Sequence, residues 1–438
     1  MKRIVFGLVV VLVVVTGVGA VGQGALGEKT KPTINQFLGL NVHTVNFKPG
    51  LYQPVTKLVR DYHSMEWDVG NETDFWVQFP FARNRVNWLT MYGDWVEKGY
   101  QINASIMFNN TPHDGWVDLE RDAHTYGFAL ARYFGPNGKG LLESTEIGNE
   151  PGKYPDETYR RMFEAMAKGM RAGDPDLLVS TCAVFARESG DYHKSVETVR
   201  GLDELYDVIN VHSYAQAEGW PTWKRSYPED PSLEYLTDIR DVIDWRDEHA
   251  PGKQVWLTEF GYDSSTKEPD QATEFRNWQG QTDTEQARYI VRSVLLFAAM
   301  DIDRAYIYFY NDSDQPSVHA ASGLTRNYEP KPSFHAVAHL RAVLGDYRFS
   351  GVVRESDEAY VYRFVSGDGE GGDVLVAWSP TGSDRTGEVV LDIDVSDVLR
   401  AERMPLEPGE APRVDVTDAG GRARVTIGES PVYVFLER

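Results

Sequence analysis

Eight short apolar runs, separated mostly by longer amphipathic stretches, constrain this chain more than any other feature of its sequence. The runs are Phe37–His43, Lys57–Tyr62, Ile102–Phe108, Leu141–Ile147, Leu177–Phe185, Val208–His212, Val255–Thr258 and Ala305–Tyr310. Helical periodicity marks Asn84–Lys98, Val117–Phe134, Asp156–Ala172, Leu233–Glu248, Asp283–Met300 and Pro332–Leu344, with Asp156 and Asp283 as candidate N-caps. Near-continuous apolar strands alternating with amphipathic helices predict a parallel sheet covered by helices. Eight such strands predict a (β/α)8 barrel over residues 21–345. A doubly wound sheet is the alternative, but no glycine-rich dinucleotide loop follows the first run.

The texture changes at Asp346. Short alternating runs follow (Tyr347–Val353, Ala359–Phe364, Asp373–Trp378, Gly387–Ile393, Ala423–Ile427, Val432–Leu436), divided by Gly, Asp and Ser turns such as Gly367–Gly372. They predict a small all-β sandwich over residues 346–438. No low-complexity linker precedes it, so a fixed interface that covers the barrel is expected in preference to an independent carbohydrate-binding module. At the other end, Lys2 and Arg3, the apolar run Ile4–Val15 and the small residues Val18-Gly19-Ala20 read as a secretory signal over residues 1–20. Secreted or periplasmic placement follows, with no membrane span after cleavage. Cys182 is the single cysteine, which rules out an internal disulfide. A formal charge of −22 argues against nucleic acid or an anionic membrane surface as partner.

In a barrel of this kind the chemistry sits at the carboxyl ends of the strands. There the sequence puts Asn41 and His43, Arg60 and His63 with Trp67 beyond, Asn109, Asn110, His113 and Trp116, Asn149 and Glu150, His212 and Tyr214, Glu259, and Tyr310 and Asn311. Aromatic rings mixed with neutral hydrogen-bonding groups suit a carbohydrate partner, whose C–H faces stack while its hydroxyls pair. Trp67, Trp116 and Trp220 read equally well as sugar platforms or as loop packing, and His43 and His63 as ligand-binding or structural histidines. Two carboxyl groups stand out: Glu150 in Gly148-Asn149-Glu150-Pro151, and Glu259 in Thr258-Glu259-Phe260-Gly261. Delivered from strands four and seven, nearly opposite across the mouth, they supply the acid and the second carboxylate that glycoside hydrolysis requires.

Those two motifs resemble clan A of the retaining glycoside hydrolases, and the trailing sandwich with its VLVAWSP strand resembles the appended domain of family 39 and related members. The resemblance implies that Glu150 is the acid/base and Glu259 the nucleophile. It implies that Asn149 binds the hydroxyl next to the anomeric carbon, and that Arg60, His212 and Tyr214 support the nucleophile. Retention in turn implies carboxyl groups about 5–5.5 Å apart. Where many clan members end strand eight in tryptophan, this chain has Tyr308-Phe309-Tyr310-Asn311, and Tyr310 is expected at the substrate. No cofactor and no metal are implied. Two rivals share the fold. A metal-dependent hydrolase could use His43, His63, His113 and His212, although Asn41-Val42-His43 lacks the paired-ligand spacing. A carbohydrate binder without chemistry is the other, and it would normally have lost one carboxylate. The sugar, endo or exo action, and the oligomeric state are not legible in the sequence.

Overall fold

The strands of the barrel close because each pairs in parallel with the next and the last returns to the first. The computed structural model describes residues 30–438, so the expected signal over residues 1–20 lies outside the described residues. The barrel strands are β1 (Leu38–Val42), β2 (Leu58–Ser64), β3 (Gln101–Met107), β4 (Ser144–Ile147), β5 (Leu178–Phe185), β6 (Val208–His212), β7 (Gln254–Phe260) and β8 (Arg304–Ile307). β8 pairs with β1 through Leu38↔Ala305 and Leu40↔Ile307, which completes the ring.

Six long helices lie in the chain between or after these strands: α1 (Trp88–Glu97), α2 (Leu119–Phe134), α3 (Asp156–Gly173), α4 (Tyr235–His249), α5 (Asp283–Ala299) and α6 (Pro332–Leu344). The β5–β6 connection carries two 3-10 turns and the two-residue strand Lys194–Ser195 in place of a long helix. Two expected caps are corrected. Thr282, not Asp283, caps α5, because its hydroxyl accepts from the Glu285 N–H while the Glu285 side chain returns to the Thr282 N–H. Asp156 is the first helical residue of α3, behind Pro155. α1 starts at Trp88 rather than Asn84, where the Asn87 side chain accepts from the Thr90 N–H at 3.2 Å.

The C-terminal part is two antiparallel sheets. One has the order β9 (Tyr347–Glu355), β10 (Tyr360–Ser366), β11 (Val374–Trp378), β16 (Val432–Leu436), β13 (Val398–Arg403); the other has β12 (Gly387–Asp394), β15 (Arg422–Ile427), β14 (Val416–Asp418). Sequence reading misses β13 and β14, whose charged, largely solvent-facing side chains carry little apolar alternation. The inner strands of the larger sheet are buried on both faces, and the two-residue period sorts their side chains between two cores. Val361, Leu375, Ala377, Val432 and Val434 meet the smaller sheet. Tyr362, Phe364, Val376, Trp378 and Tyr433 join the core that continues into the barrel.

A polar latch reinforces that contact. Arg292 on α5, fully buried, donates to Glu229 and to the Thr381 carbonyl, and Glu229 also accepts from the Trp378 indole. Residues 31–438 accordingly form one compact unit.

A chain lacking residues 347–438 should expose the barrel face covered by Tyr362, Trp378 and Tyr433 and be recovered as insoluble protein; a soluble, folded barrel would contradict this. Arg292→Met, which strips the buried Glu229 of its cation, should lower the unfolding free energy by about 3–5 kcal/mol in a urea titration.

Candidate active site

Inside the barrel the side chains change from apolar to polar along the strands. Leu58, Val208, Trp256 and Tyr306 form a small buried cluster of their own, set apart from the main core. Gly39 makes room for it, since a Cβ there would lie 2.2 Å from the Tyr306 ring. Two residues further along β2 and β6 come Arg60 and Asn210, and two further again Tyr62 and His212.

Arg60 is fully buried and saturated. Its Nε and Nη2 form a bidentate pair with Glu146 at 2.8 and 2.7 Å. Nη1 donates to Asn41 Oδ1 at 2.9 Å and to Glu259 Oε1 at 3.0 Å, and Nη2 to Asn149 Oδ1 at 2.7 Å. A β-bulge in β7 brings Glu259 to this cation. Against β6, Val211 faces Leu257 while His212 faces Glu259, so Thr258 is the extra residue. Consecutive side chains therefore both reach the interior: Thr258 Oγ1 meets His212 Nε2 at 3.0 Å, and Glu259 meets Arg60.

Two tyrosines complete the setting of Glu259. Tyr62 donates to Oε1 at 2.7 Å and Tyr214 to Oε2 at 2.9 Å. Burial works to raise this carboxyl, but the charges of His212 and Arg60 and the two hydroxyl bonds outweigh it and hold the group down at about 2. Glu259 is therefore a fixed carboxylate.

Glu150 stands past the end of β4, where Gly148 turns the backbone at φ 88°. Its Oε1 lies 2.9 Å from His212 Nδ1, and the same nitrogen is 3.7 Å from Glu259 Oε2. Burial disfavours the imidazolium, yet the Glu259 charge and the bond to Glu150 raise the His212 imidazole above its ordinary value. One oxygen each of Glu150 and Glu259 and one nitrogen of His212 lie within 4.8 Å of one another. These three are also, among the described residues, the group able to chelate a cation. Glu259, however, is already held by a guanidinium and two hydroxyls, a poor setting for a further positive charge.

The expected site residues are distributed unevenly. Asn149, Arg60, His212, Tyr214 and the two glutamates meet, but His212 bonds Glu150 where an orienting contact to Glu259 was expected. His63 is a correction. It alternates with Tyr62 and faces the helix layer, where Nδ1 meets Tyr92 Oη and Nε2 meets Asp68, each at 2.8 Å, in full burial. Trp67 stacks on Trp88, which stacks on His63, so it closes that packing rather than a subsite.

Tyr310 is the other correction. β8 ends at Ile307, and the Tyr310 ring is buried against Phe47 and Tyr52. Tyr308 takes the position facing the site, 6.5 Å from the Tyr214 ring. Burial, and then the nearby Glu259 charge, raise its phenol. Trp116, half-buried, donates its indole N–H to Tyr154 at 3.0 Å, in the loop beyond Glu150. His43 is exposed on the rim. Asp312 and Asp314, in the acidic run after β8, are bonded internally to Gly323, Lys331, Ser265 and Thr266.

Sequence reading missed Tyr62 and Glu146. Strand alternation from Arg60 and from the Ile147 turn was the available signal for them. It also missed Tyr308, His319 and Arg225, for which the strand pattern carried none.

No protein-family model matches the chain, and no curated protein is similar to it in sequence. Solved structures do share its fold. A family 39 glycoside hydrolase from the gut symbiont Bacteroides cellulosilyticus aligns over 93% of this chain and 81% of its own, at 18% identity and a TM-score of 0.70. A bifunctional glucanase-xylanase from a metagenome library aligns over 93% and 97%, at 13% identity and TM-score 0.63. A glucosidase from Croceicoccus marinus aligns over 93% and 96%, at 14% identity and TM-score 0.62. The chain has the fold of clan A glycoside hydrolases.

Because the folded-state pKa of Glu259 is depressed, its ionisation stabilises the protein above the unfolded value of about 4.3 and that contribution is lost as pH falls towards 2. Thermal melts of the wild type and Glu259→Gln should therefore differ fully above about pH 5 and converge as the pH is lowered through 3.

Proposed function

We propose that this protein is a glycoside hydrolase that cleaves β-glycosidic bonds of a poly- or oligosaccharide with retention, Glu259 being the nucleophile and Glu150 the acid/base. The observation that carries the reading is the pair of carboxyl groups at the ends of β4 and β7, with oxygens within 4.8 Å, one of them pinned as a carboxylate. Such closely approaching oxygens support direct attack of Glu259 on the anomeric carbon over an inverting arrangement, in which the carboxyl groups stand further apart to hold a water between carboxylate and sugar.

In the first step Glu259 attacks that carbon while Glu150 gives its proton to the departing oxygen, and the glycosidic C–O bond breaks. In the second, Glu150 takes a proton from water, the water oxygen bonds to the anomeric carbon, and the ester to Glu259 is released. Arg60, Tyr62 and Tyr214 fix both oxygens of the nucleophile before substrate arrives, which removes reorganisation from the step. His212 fixes Glu150 in the same way. Asn149, whose Oδ1 is engaged by Arg60, has its amide N–H groups to offer a sugar hydroxyl. Fold neighbours described as a glucosidase and a glucanase-xylanase support a neutral glycan as substrate. The N-terminal Lys2-Arg3 and apolar run support export, and a polysaccharide outside the cell is then the natural target. The metal-dependent reading predicts chelator-sensitive activity; the reading proposed here predicts none.

Glu259→Ala should show no turnover on any glycoside. Glu150→Ala should lose about 10²–10⁴-fold on substrates that need protonation, retain cleavage of aryl glycosides with good leaving groups, and be accelerated by azide. Proton NMR of the first-formed sugar should show the anomer of the substrate; an inverted product would overturn the assignment.

A further inference from the structure

The wall of the site next to Tyr214 is built by a pair that the two-carboxylate chemistry does not use, Arg225 and His319. Arg225, in the loop after β6, is almost fully buried. Its Nη1 donates to the Gly261 carbonyl at 2.7 Å and pairs with Asp263 at 3.0 Å. Its guanidinium lies over the Tyr214 ring at 4.3 Å. These contacts come from β7's loop and from the tyrosine that holds the nucleophile, so Arg225 is fixed in place by the site itself. Its Nη2 lies 3.3 Å from His319 Nδ1.

A guanidinium has donors and no acceptor, so His319 Nδ1 must be the bare nitrogen and the ring proton must sit on Nε2. The imidazole packs edge-on against Tyr214 at 4.8 Å, the ring whose hydroxyl bonds Glu259, and against Tyr308 at 5.6 Å. The residue is exposed, as befits a side chain on a cleft wall. The chain holds it there from a left-handed backbone, φ 63°. Desolvation and then the Arg225 charge keep its pKa at about 4, so the ring stays neutral across the ordinary working range.

We propose that His319 is a specificity-determining residue of this site: its Nε2–H, fixed by Arg225, donates a hydrogen bond to one hydroxyl of the sugar unit seated against Tyr214 and Tyr308 beside Glu259. This rests on the glycoside hydrolase reading given above. Such a donor favours a sugar bearing an acceptor oxygen at that one ring position and penalises an analogue that lacks it, because the bound sugar then cuts the N–H off from water and leaves it unpaired.

The test is a functional-group cycle on the full chain. Among the p-nitrophenyl β-D-glucoside, galactoside, xyloside and mannoside, the one turned over fastest is compared with its monodeoxy derivatives. One deoxy position should lower wild-type kcat/KM by about 10- to 100-fold. His319→Phe should lower the parent by a similar factor but lose no more than about twofold on that same deoxy sugar. His319→Gln, which places an amide N–H near the position of Nε2–H, should recover most of the loss. Losses that simply multiply at every position, or a His319→Phe enzyme as active as wild type, would overturn the proposal while leaving the two glutamates' roles intact. Nitrogen-15 NMR of histidine-labelled protein gives a readout independent of turnover. It should report the Nε2–H tautomer for His319 at pH 6, and an Nδ1–H tautomer would refute the assignment. A wild type inert on all four glycosides and on a polysaccharide panel would instead sink the glycoside hydrolase reading, and this inference with it.

Discussion

A single buried guanidinium sets the geometry of the barrel mouth. Arg60 touches Glu146, Glu259, Asn41 and Asn149 at once, joining side chains from β1, β2, β4 and β7. Burying one cation with two carboxylates is favourable only when nearly every donor is matched, since each unpaired charge in such a place costs several kcal/mol. Arg60 meets that condition with six hydrogen bonds. The consequence is directional. Glu146 accepts a two-toothed pair and neutralises the guanidinium, while Glu259 receives one N–H and is left facing the opening.

The same economy operates one layer further out. His212 links Thr258 below to Glu150 above and stands 3.7 Å from Glu259, so the two carboxyls of the candidate site are joined through one imidazole. The bulge in β7 makes this possible, because without the extra residue either Thr258 or Glu259 would point at the helices. Tyr62 and Tyr214 then donate one bond to each oxygen of Glu259, which leaves a lone pair on Oε2 free, and Arg225 braces Tyr214 from behind. Each contact is ordinary in strength; together they leave the Glu259 carboxylate a single orientation.

The C-terminal sandwich contributes to the site through the core. Its larger sheet hands alternate side chains to the barrel, and Arg292, Glu229 and Trp378 tie α5 to that sheet by charge and hydrogen bond. α5 is the helix that follows β7, so the strand carrying Glu259 is backed by an element held on both sides. Tyr262, just past Glu259, packs on Tyr289 of α5 at 5.3 Å and extends the same support.

Much of this was legible in the chain itself. Eight apolar runs with helices between them determined the parallel barrel, because parallel strands need covered faces and crossover helices. Turn-rich alternation after Asp346 determined the sandwich for the complementary reason. Glu150 and Glu259 were readable as candidates that would meet at the barrel mouth, because a lone carboxylate ending an apolar strand has few structural uses. Strand alternation was also available to assign His63 to the helix side and Tyr62 to the interior. Only the tertiary structure decided the rest. The β7 bulge is a register event between two strands, and the early end of β8 that exchanges Tyr310 for Tyr308 depends on where pairing stops. Arg225 and His319 come from loops 94 residues apart. Their meeting is fixed by backbone geometry and by what already fills the space around Tyr214, neither of which a one-dimensional pattern encodes.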